Sequence, residues 1–83
     1  MAAITRTYSV LLDPDPHGGF TVTVPLLPGC ITQAEGVEDC LERAREAIAV
    51  YLEDLAATGE PVPEEAVPPQ LRRVSVSVDR LGD

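Results

Sequence analysis

The sequence predicts an α+β fold in the order β-β-β-α-β, with an antiparallel meander and one long helix packed on one face. Three observations support this fold. Two alternating apolar and polar segments flank a turn rich in Pro and Gly, one long apolar stripe has helical spacing, and a last alternating segment follows it. The length of 83 residues predicts a single domain over residues 1–83.

An antiparallel hairpin is predicted at the start of the chain. The first strand covers Thr5–Leu12, where apolar and polar side chains alternate. The turn covers Asp13–Gly19, whose prolines cannot donate to a ladder and whose glycines permit positive φ. Phe20–Val24 alternates again and forms the second strand.

A tight corner leads from the hairpin to a third strand. Pro25 ends the second strand, and Pro28-Gly29 fits the central positions of a type II turn. Cys30–Gln33 then continues the meander. The residues that we interpret as purely structural are Gly18, Gly19, Pro25, Pro28 and Gly29.

One amphipathic helix is predicted from Val37 to Ala57. Gly36 stands at the N-cap, and Gly59 supplies the stop. The apolar stripe consists of Val37, Cys40, Leu41, Ala44, Ala47, Ile48, Tyr51, Leu52 and Leu55.

A proline-rich linker over residues 60–70 separates the helix from a last strand that begins near Arg72. Two interpretations of this strand stay open. It joins the sheet of its own chain, or Val74, Val76 and Val78 form a β contact between subunits. Because a domain this small has a thin core, we expect a homo-oligomer, either a dimer or a tetramer.

The charge is strongly acidic, with 14 Asp and Glu side chains against 6 Arg and a formal net charge of −8. Direct DNA binding is not expected, because phosphate binding needs clustered basic residues. The charge suits either a solvated surface or a basic protein partner. The candidate partner-binding residues are Asp13, Asp15, Glu35, Glu38, Glu53 and Asp54.

Nothing in the sequence indicates catalysis, a metal site or a cofactor. The single His, His17, lies in a Pro/Gly turn, and Cys30 and Cys40 lack the spacing of a zinc site and are typical of core residues. The alternative is a metal-dependent hydrolase acting on nucleic acid, with ligands among Asp13, Asp15, Glu38 and Asp79. We therefore expect that the protein is not an enzyme.

The cytoplasm is the expected location. No run approaches the length of a membrane-spanning helix, and Met1–Arg6 lacks the basic start and apolar core of a signal peptide.

Several short motifs resemble those of the antitoxin family called HicB, over about Tyr8 to Pro63. They are Tyr8-Ser9-Val10, Gly18-Gly19-Phe20, Val22-Thr23-Val24-Pro25, Leu27-Pro28-Gly29-Cys30 with Thr32, the helix start Glu38-Asp39-Cys40-Leu41, and Gly59-Glu60-Pro61-Val62-Pro63. Ala34-Glu35-Gly36 departs from the family, which usually places a hydroxyl residue before the helix.

The resemblance implies a partial ribonuclease-H-like fold without nuclease activity. It also implies binding to a small basic toxin of the HicA type, an mRNA-cleaving protein, by covering its active surface. Many members add a C-terminal DNA-binding segment, and none is recognised after the linker here. The alternative within the family is an orphan homo-oligomer without a toxin.

Overall fold

Three short antiparallel strands and one helix make up the fold in a computed structural model, which describes residues 5–79. The elements are β1 (Leu11–Pro14), β2 (Phe20–Thr23), β3 (Ile31–Ala34) and α1 (Val37–Ala57). The sheet order is β1-β2-β3, so the α+β class and the meander are confirmed. Residues 1–4, which belong to the N-terminal stretch considered above as a possible signal peptide, lie outside the described residues.

The β1–β2 hairpin closes through five residues, Asp15–Gly19, rather than the predicted seven. Pro14 pairs with Phe20, so the ladder reaches further than expected; a proline is tolerated there because β1 is an edge strand. Within the turn, the Asp15 N–H donates to the Gly19 carbonyl at 2.9 Å and the Gly18 N–H donates to the Asp15 carbonyl at 3.0 Å.

The predicted start of the first strand at Thr5 is wrong, because β1 begins only at Leu11. The cause lies in the neighbouring strand. Pro25 has no N–H, and the chain turns there, with the Leu27 N–H donating to the Val24 carbonyl at 3.0 Å. Residues 5–10 therefore have no strand opposite them, although their sequence alternates.

The corner before β3 is the predicted type II turn. The Cys30 N–H donates to the Leu27 carbonyl at 3.0 Å, and Gly29 has φ +82°, which the third residue of this turn requires. The third strand is offset by one residue from its predicted range.

Both ends of α1 match the sequence signals. Gly36 is the N-cap with extended backbone. At the other end Gly59 has φ +75°, its N–H donates to the Ala56 carbonyl, and the Glu60 N–H donates to the Leu55 carbonyl at 2.9 Å. This pair of bonds is a Schellman motif, which satisfies the last free carbonyls of the helix.

The core lies between α1 and one face of the sheet, in two adjoining clusters. One contains Val22, Cys40 and Ala44, and the other contains Val24, Leu27 and Cys30. Both cysteines are free and buried, which confirms their interpretation as apolar core residues.

The predicted C-terminal strand is not formed in the described residues up to Asp79. Residues 63–65 are bonded to the N-terminal segment, where the Tyr8 hydroxyl donates to the Pro63 carbonyl at 2.6 Å. Residues 70–79 then carry no secondary structure and are exposed. The molecule is accordingly elongated, with dimensions of 61 × 27 × 20 Å. Pro68-Pro69 accounts for this course, because consecutive prolines favour extended backbone over a turn back to the sheet.

Candidate functional site

Four of the predicted partner-binding residues, Asp13, Asp15, Glu35 and Glu38, lie at one end of the molecule, which we call the acidic end. Asp13 and Asp15 belong to the β1–β2 hairpin, and Glu35 and Glu38 flank the start of α1. Gly19 shows how closely these parts approach. A Cβ added there would lie 2.8 Å from the Ala34 carbonyl oxygen and 3.3 Å from Glu35 Oε2.

The other two predicted residues, Glu53 and Asp54, lie near the opposite end of α1. The rise along the helix axis from Glu38 to Glu53 is about 22 Å. One small partner surface at the acidic end therefore does not reach them, and the predicted set is divided into two.

Three acidic side chains that were not among the predicted partner-binding residues, Asp39, Glu42 and Glu46, continue from Glu35 along α1. Glu35, Asp39, Glu42 and Glu46 line a shallow surface groove together with Ala34 and Arg43; we call it the acidic groove. The signal was present in the sequence, because residues 39, 42 and 46 have the spacing that places side chains on one side of a helix.

Arg43 and Arg45 offset only part of the charge of the acidic groove, because two arginines stand against four carboxylates. Arg45 forms an ion pair with Glu42 at 2.7 Å, with both side chains about 70% exposed to solvent. Exposed pairs of this kind contribute little energy. At the start of α1, Glu38 and Asp39 are the acidic residues of the first turn, where the helix dipole favours negative charge. The groove therefore keeps an excess of negatively charged side chains.

The described residues offer no group of three or more His, Cys, Asp or Glu side chains that could hold a metal ion. Asp13, Asp15 and Glu38 are exposed, and Asp79 lies on the extended C-terminal segment. The hydrolase alternative therefore lacks a candidate ligand set in residues 5–79. His17 is exposed in the hairpin turn, and its backbone N–H donates to Asp15 Oδ1 at 2.8 Å.

The buried cysteines offer no reactive thiol. Burial raises the pKa of the Cys30 thiol above its ordinary value, because the apolar surroundings disfavour the thiolate. Cys30 therefore stays protonated at neutral pH, and a thiol in that state is a weak nucleophile.

A second groove has the opposite character. It lies between the N-terminal segment and α1, and its apolar lining includes Tyr8, Val10, Leu41, Ile48 and Leu52; we call it the apolar groove. Tyr8 and Val10 belong to the predicted first strand and the other three to the predicted apolar stripe of the helix, and all five side chains are only half-buried. The 21-residue helix, about 31 Å long, extends beyond the four-residue strands, which are about 13 Å long, so part of its apolar stripe has no strand beneath it.

The face of the sheet opposite α1 is uncovered by other described residues. Leu11, Thr23 and Ile31 form one row across the three strands, and Leu11 and Ile31 are 41% and 60% exposed.

Among residues 5–79, no helix is long and apolar enough to cross a membrane.

Comparison with known proteins places this architecture in a family. The chain is 40% identical over 58 residues to the UPF0150 protein ssr1765 of Synechocystis sp., covering 70% of this chain and 73% of that protein. It is 38% identical over 58 residues to the UPF0150 protein Ta0767 of Thermoplasma acidophilum, covering 70% of this chain and 84% of that protein. A UPF0150 protein of Archaeoglobus fulgidus is 44% identical over 46 residues, or 55% of this chain and 67% of that protein.

The family model described as "HicB_like antitoxin of bacterial toxin-antitoxin system" matches residues 8–77. This range confirms the resemblance seen in the hairpin and Pro-Gly-Cys motifs and extends it through the linker to Ser77, which includes Val74 and Val76. The chain belongs to the HicB-like antitoxin family of bacterial toxin–antitoxin systems.

Proposed function

We propose that this protein is an antitoxin that neutralises a small basic HicA-type toxin, an mRNA-cleaving protein, by covering its active surface. It acts by binding rather than by catalysis, in the cytoplasm, without direct contact with DNA. The observation that carries the proposal is the concentration of exposed carboxylates at the acidic end and along the acidic groove of a HicB-like antitoxin fold.

The distribution of charge supports this role. Residues 5–69 contain twelve acidic and three basic side chains, and no charged side chain among the described residues is buried. A surface that binds RNA is basic. A complementary acidic surface therefore competes for the same face of the toxin, and long-range attraction raises the association rate.

The acidic end is rigidly built, which favours recognition. The hairpin turn is held by two backbone hydrogen bonds, and Gly19 lies against the β3–α1 junction. Little conformational entropy is then lost when a partner binds. We therefore assign the primary toxin contact to Asp13, Asp15, Glu35 and Glu38 with the acidic groove, and a separate, weaker contribution to Glu53 and Asp54.

The test is binding and growth rescue with the toxin candidate, defined as the product of a short basic reading frame adjacent to the gene. The protein should form a complex with this product that weakens as salt rises, and co-expression should restore growth. If no adjacent product binds and no HicA-type toxin is neutralised, the antitoxin role falls and an orphan oligomer remains.

A charge-reversal pair locates the contact. Glu35→Lys with Asp39→Lys changes the acidic groove, whereas Glu53→Lys with Asp54→Lys changes the charge equally at the far end of α1. All four side chains are exposed, so neither variant should unfold. The first pair should reduce toxin affinity at least about tenfold more than the second. Equal losses would show that net charge, and not the acidic groove, drives binding.

A further inference from the structure

The extended segment of residues 70–79, which we call the arm, carries an apolar side with nothing against it. Val74, Val76 and Val78 are 86%, 78% and 56% exposed. Alternation places the three valines on one side of an extended chain, with Ser75 and Ser77 on the other. An unpaired extended segment of this kind is a template for pairing with another strand.

The apolar groove offers the complementary surface. Cys40 and Ala44 of α1 are buried against the sheet, while Leu41, Ile48 and Leu52 lie on the neighbouring side of the helix and are only half-buried. The sheet order gives β1 a neighbour on one side alone. The groove lies between α1 and residues 5–10, the segment that leads into β1, and an added strand could occupy it beside that segment.

The two surfaces also agree in length. An extended chain from Val74 to Val78 spans about 13 Å. The helix from Leu41 to Leu52 spans about 16 Å. Three valines spaced along the arm can thus each meet an apolar side chain of the groove.

The arm does not line the apolar groove of its own chain, and its residues 70–79 are exposed. The root of the arm is fixed, because Glu65 accepts a hydrogen bond from the Ser9 N–H at 2.9 Å. Pro68 and Pro69 follow within a few residues, and each restricts both itself and the residue before it to extended backbone. A tight reversal at this point is disfavoured, whereas insertion into a second molecule needs no reversal.

The charge of the arm identifies the second molecule as another copy of this chain. Residues 70–79 carry two arginines and one aspartate, whereas residues 5–69 carry twelve acidic and three basic side chains. The arm is thus the basic part of an acidic protein. Its arginines, Arg72 and Arg73, are attracted by the acidic body of a second copy and repelled by a basic toxin.

We propose that two copies exchange their arms reciprocally, each arm placing Val74, Val76 and Val78 in the apolar groove of the other copy, beside the N-terminal segment that leads into β1. Such an exchange generates a closed dimer with twofold symmetry, because each copy contributes one arm and one groove. It also covers the half-buried side of α1 and provides the additional core that a domain of this size lacks.

Sedimentation of the full chain tests the proposal with a matched pair of variants. Val76→Asp places a charge on the arm, and Val50→Asp places the same charge at a helix position that is 64% exposed and away from the apolar groove. Both side chains are exposed in the single chain, so helix content by circular dichroism should not change. Val76→Asp should weaken the dimer on the order of 100-fold or more, and Val50→Asp should leave it intact.

Disulfide cross-linking distinguishes exchange from folding back. In the chain with Val76→Cys and Ile48→Cys, oxidation should give a covalent dimer on a non-reducing gel, while Val76→Cys with Val50→Cys should give much less. The native Cys30 and Cys40 are buried and should not compete.

Three results would overturn the exchange: a wild-type monomer at micromolar concentration, a disulfide confined within one chain, or a dimer unaffected by Val76→Asp. The last result would move the interface to another surface, such as the sheet face of Leu11 and Ile31. These experiments contain no toxin, so their outcome is independent of the antitoxin proposal.

Discussion

Glu65 holds Ser9 at two points, although 56 positions separate the two residues in the chain. Its Oε1 accepts from the Ser9 backbone N–H at 2.9 Å, and its Oε2 accepts from the Ser9 hydroxyl. A neighbouring contact joins Arg6 to Glu64 at 2.9 Å. The residues after α1 are thereby fixed to the N-terminal segment, and the course of the arm is set by this attachment.

Glu65→Ala should destabilise the fold by about 1–3 kcal/mol, because the change removes two hydrogen bonds to a carboxylate in a half-buried position. Urea denaturation of the two proteins measures the difference. Glu64→Ala is the matched control. It removes an ion pair whose glutamate is 70% exposed, so its expected cost is at most about 1 kcal/mol. Equal costs for the two variants would contradict the assignment of Glu65 as the main attachment.

Gly19→Ala should be far more damaging than Gly59→Ala, although both glycines have φ +75°. The backbone strain of placing an L side chain in this region is about 1–2 kcal/mol at either site. Only at Gly19 does the new Cβ also meet the Ala34 carbonyl oxygen, at 2.8 Å, whereas nothing lies within 4 Å at Gly59. Separation of the hairpin from the start of α1 should follow.

Thermal or urea unfolding of both glycine variants measures this difference, and toxin binding provides a second measurement. Gly19→Ala should weaken binding through the acidic end, while Gly59→Ala should bind normally if it remains folded. Similar unfolding free energies for the two variants would show that the hairpin moves away from Ala34 at little cost.

Leu27→Ala should cost about 2–5 kcal/mol, because the side chain is fully buried and its removal leaves a cavity. A domain with marginal stability would lose most of its folded population. Leu11→Ala, at a position that is 41% exposed on the uncovered sheet face, is the control and should cost less than about 1.5 kcal/mol. Chemical denaturation monitored by helix content gives both values. A small loss at Leu27 would mean that Tyr51 and Leu52 repack into the space.

Local sequence signals predicted the elements that depend on local chemistry. Gly29 and Gly59 have the positive φ that their turn and helix end require, and α1 has the predicted bounds. Each of these features is decided within a few residues by backbone sterics or by helical spacing. They could be read from one sequence without knowledge of the tertiary structure.

Features that depend on distant partners could not be predicted in this way. The alternation of residues 5–10 and of the arm satisfies the strand pattern equally well, yet neither has a strand opposite it in the chain. The acidic residues show the same limit. Charge alone suggested a partner, whereas the pairing of Pro14 with Phe20 and of Phe20 with Ala34 brings the neighbouring Asp15 and Glu35 to one end.

Stability should fall at alkaline pH in part because of Cys30. Burial raises the pKa of its thiol in the folded state, while the thiol of the unfolded chain ionises near its ordinary value of about 8.5. Between the two pKa values the unfolded state holds fewer protons, so the free energy of unfolding decreases as pH rises. Below the unfolded value the contribution is fully present and independent of pH.

The variant Cys30→Ala isolates this effect from other groups that titrate at alkaline pH. It should be less stable than the wild type at pH 7 because the buried sulfur leaves a cavity. The difference between the two proteins should then shrink from pH 8 to pH 10, since only the wild type loses the Cys30 contribution. A difference that stays constant over this range would mean that the folded thiol ionises as readily as the unfolded one, and that Cys30 is less enclosed than its packing against Val24 and Leu27 indicates.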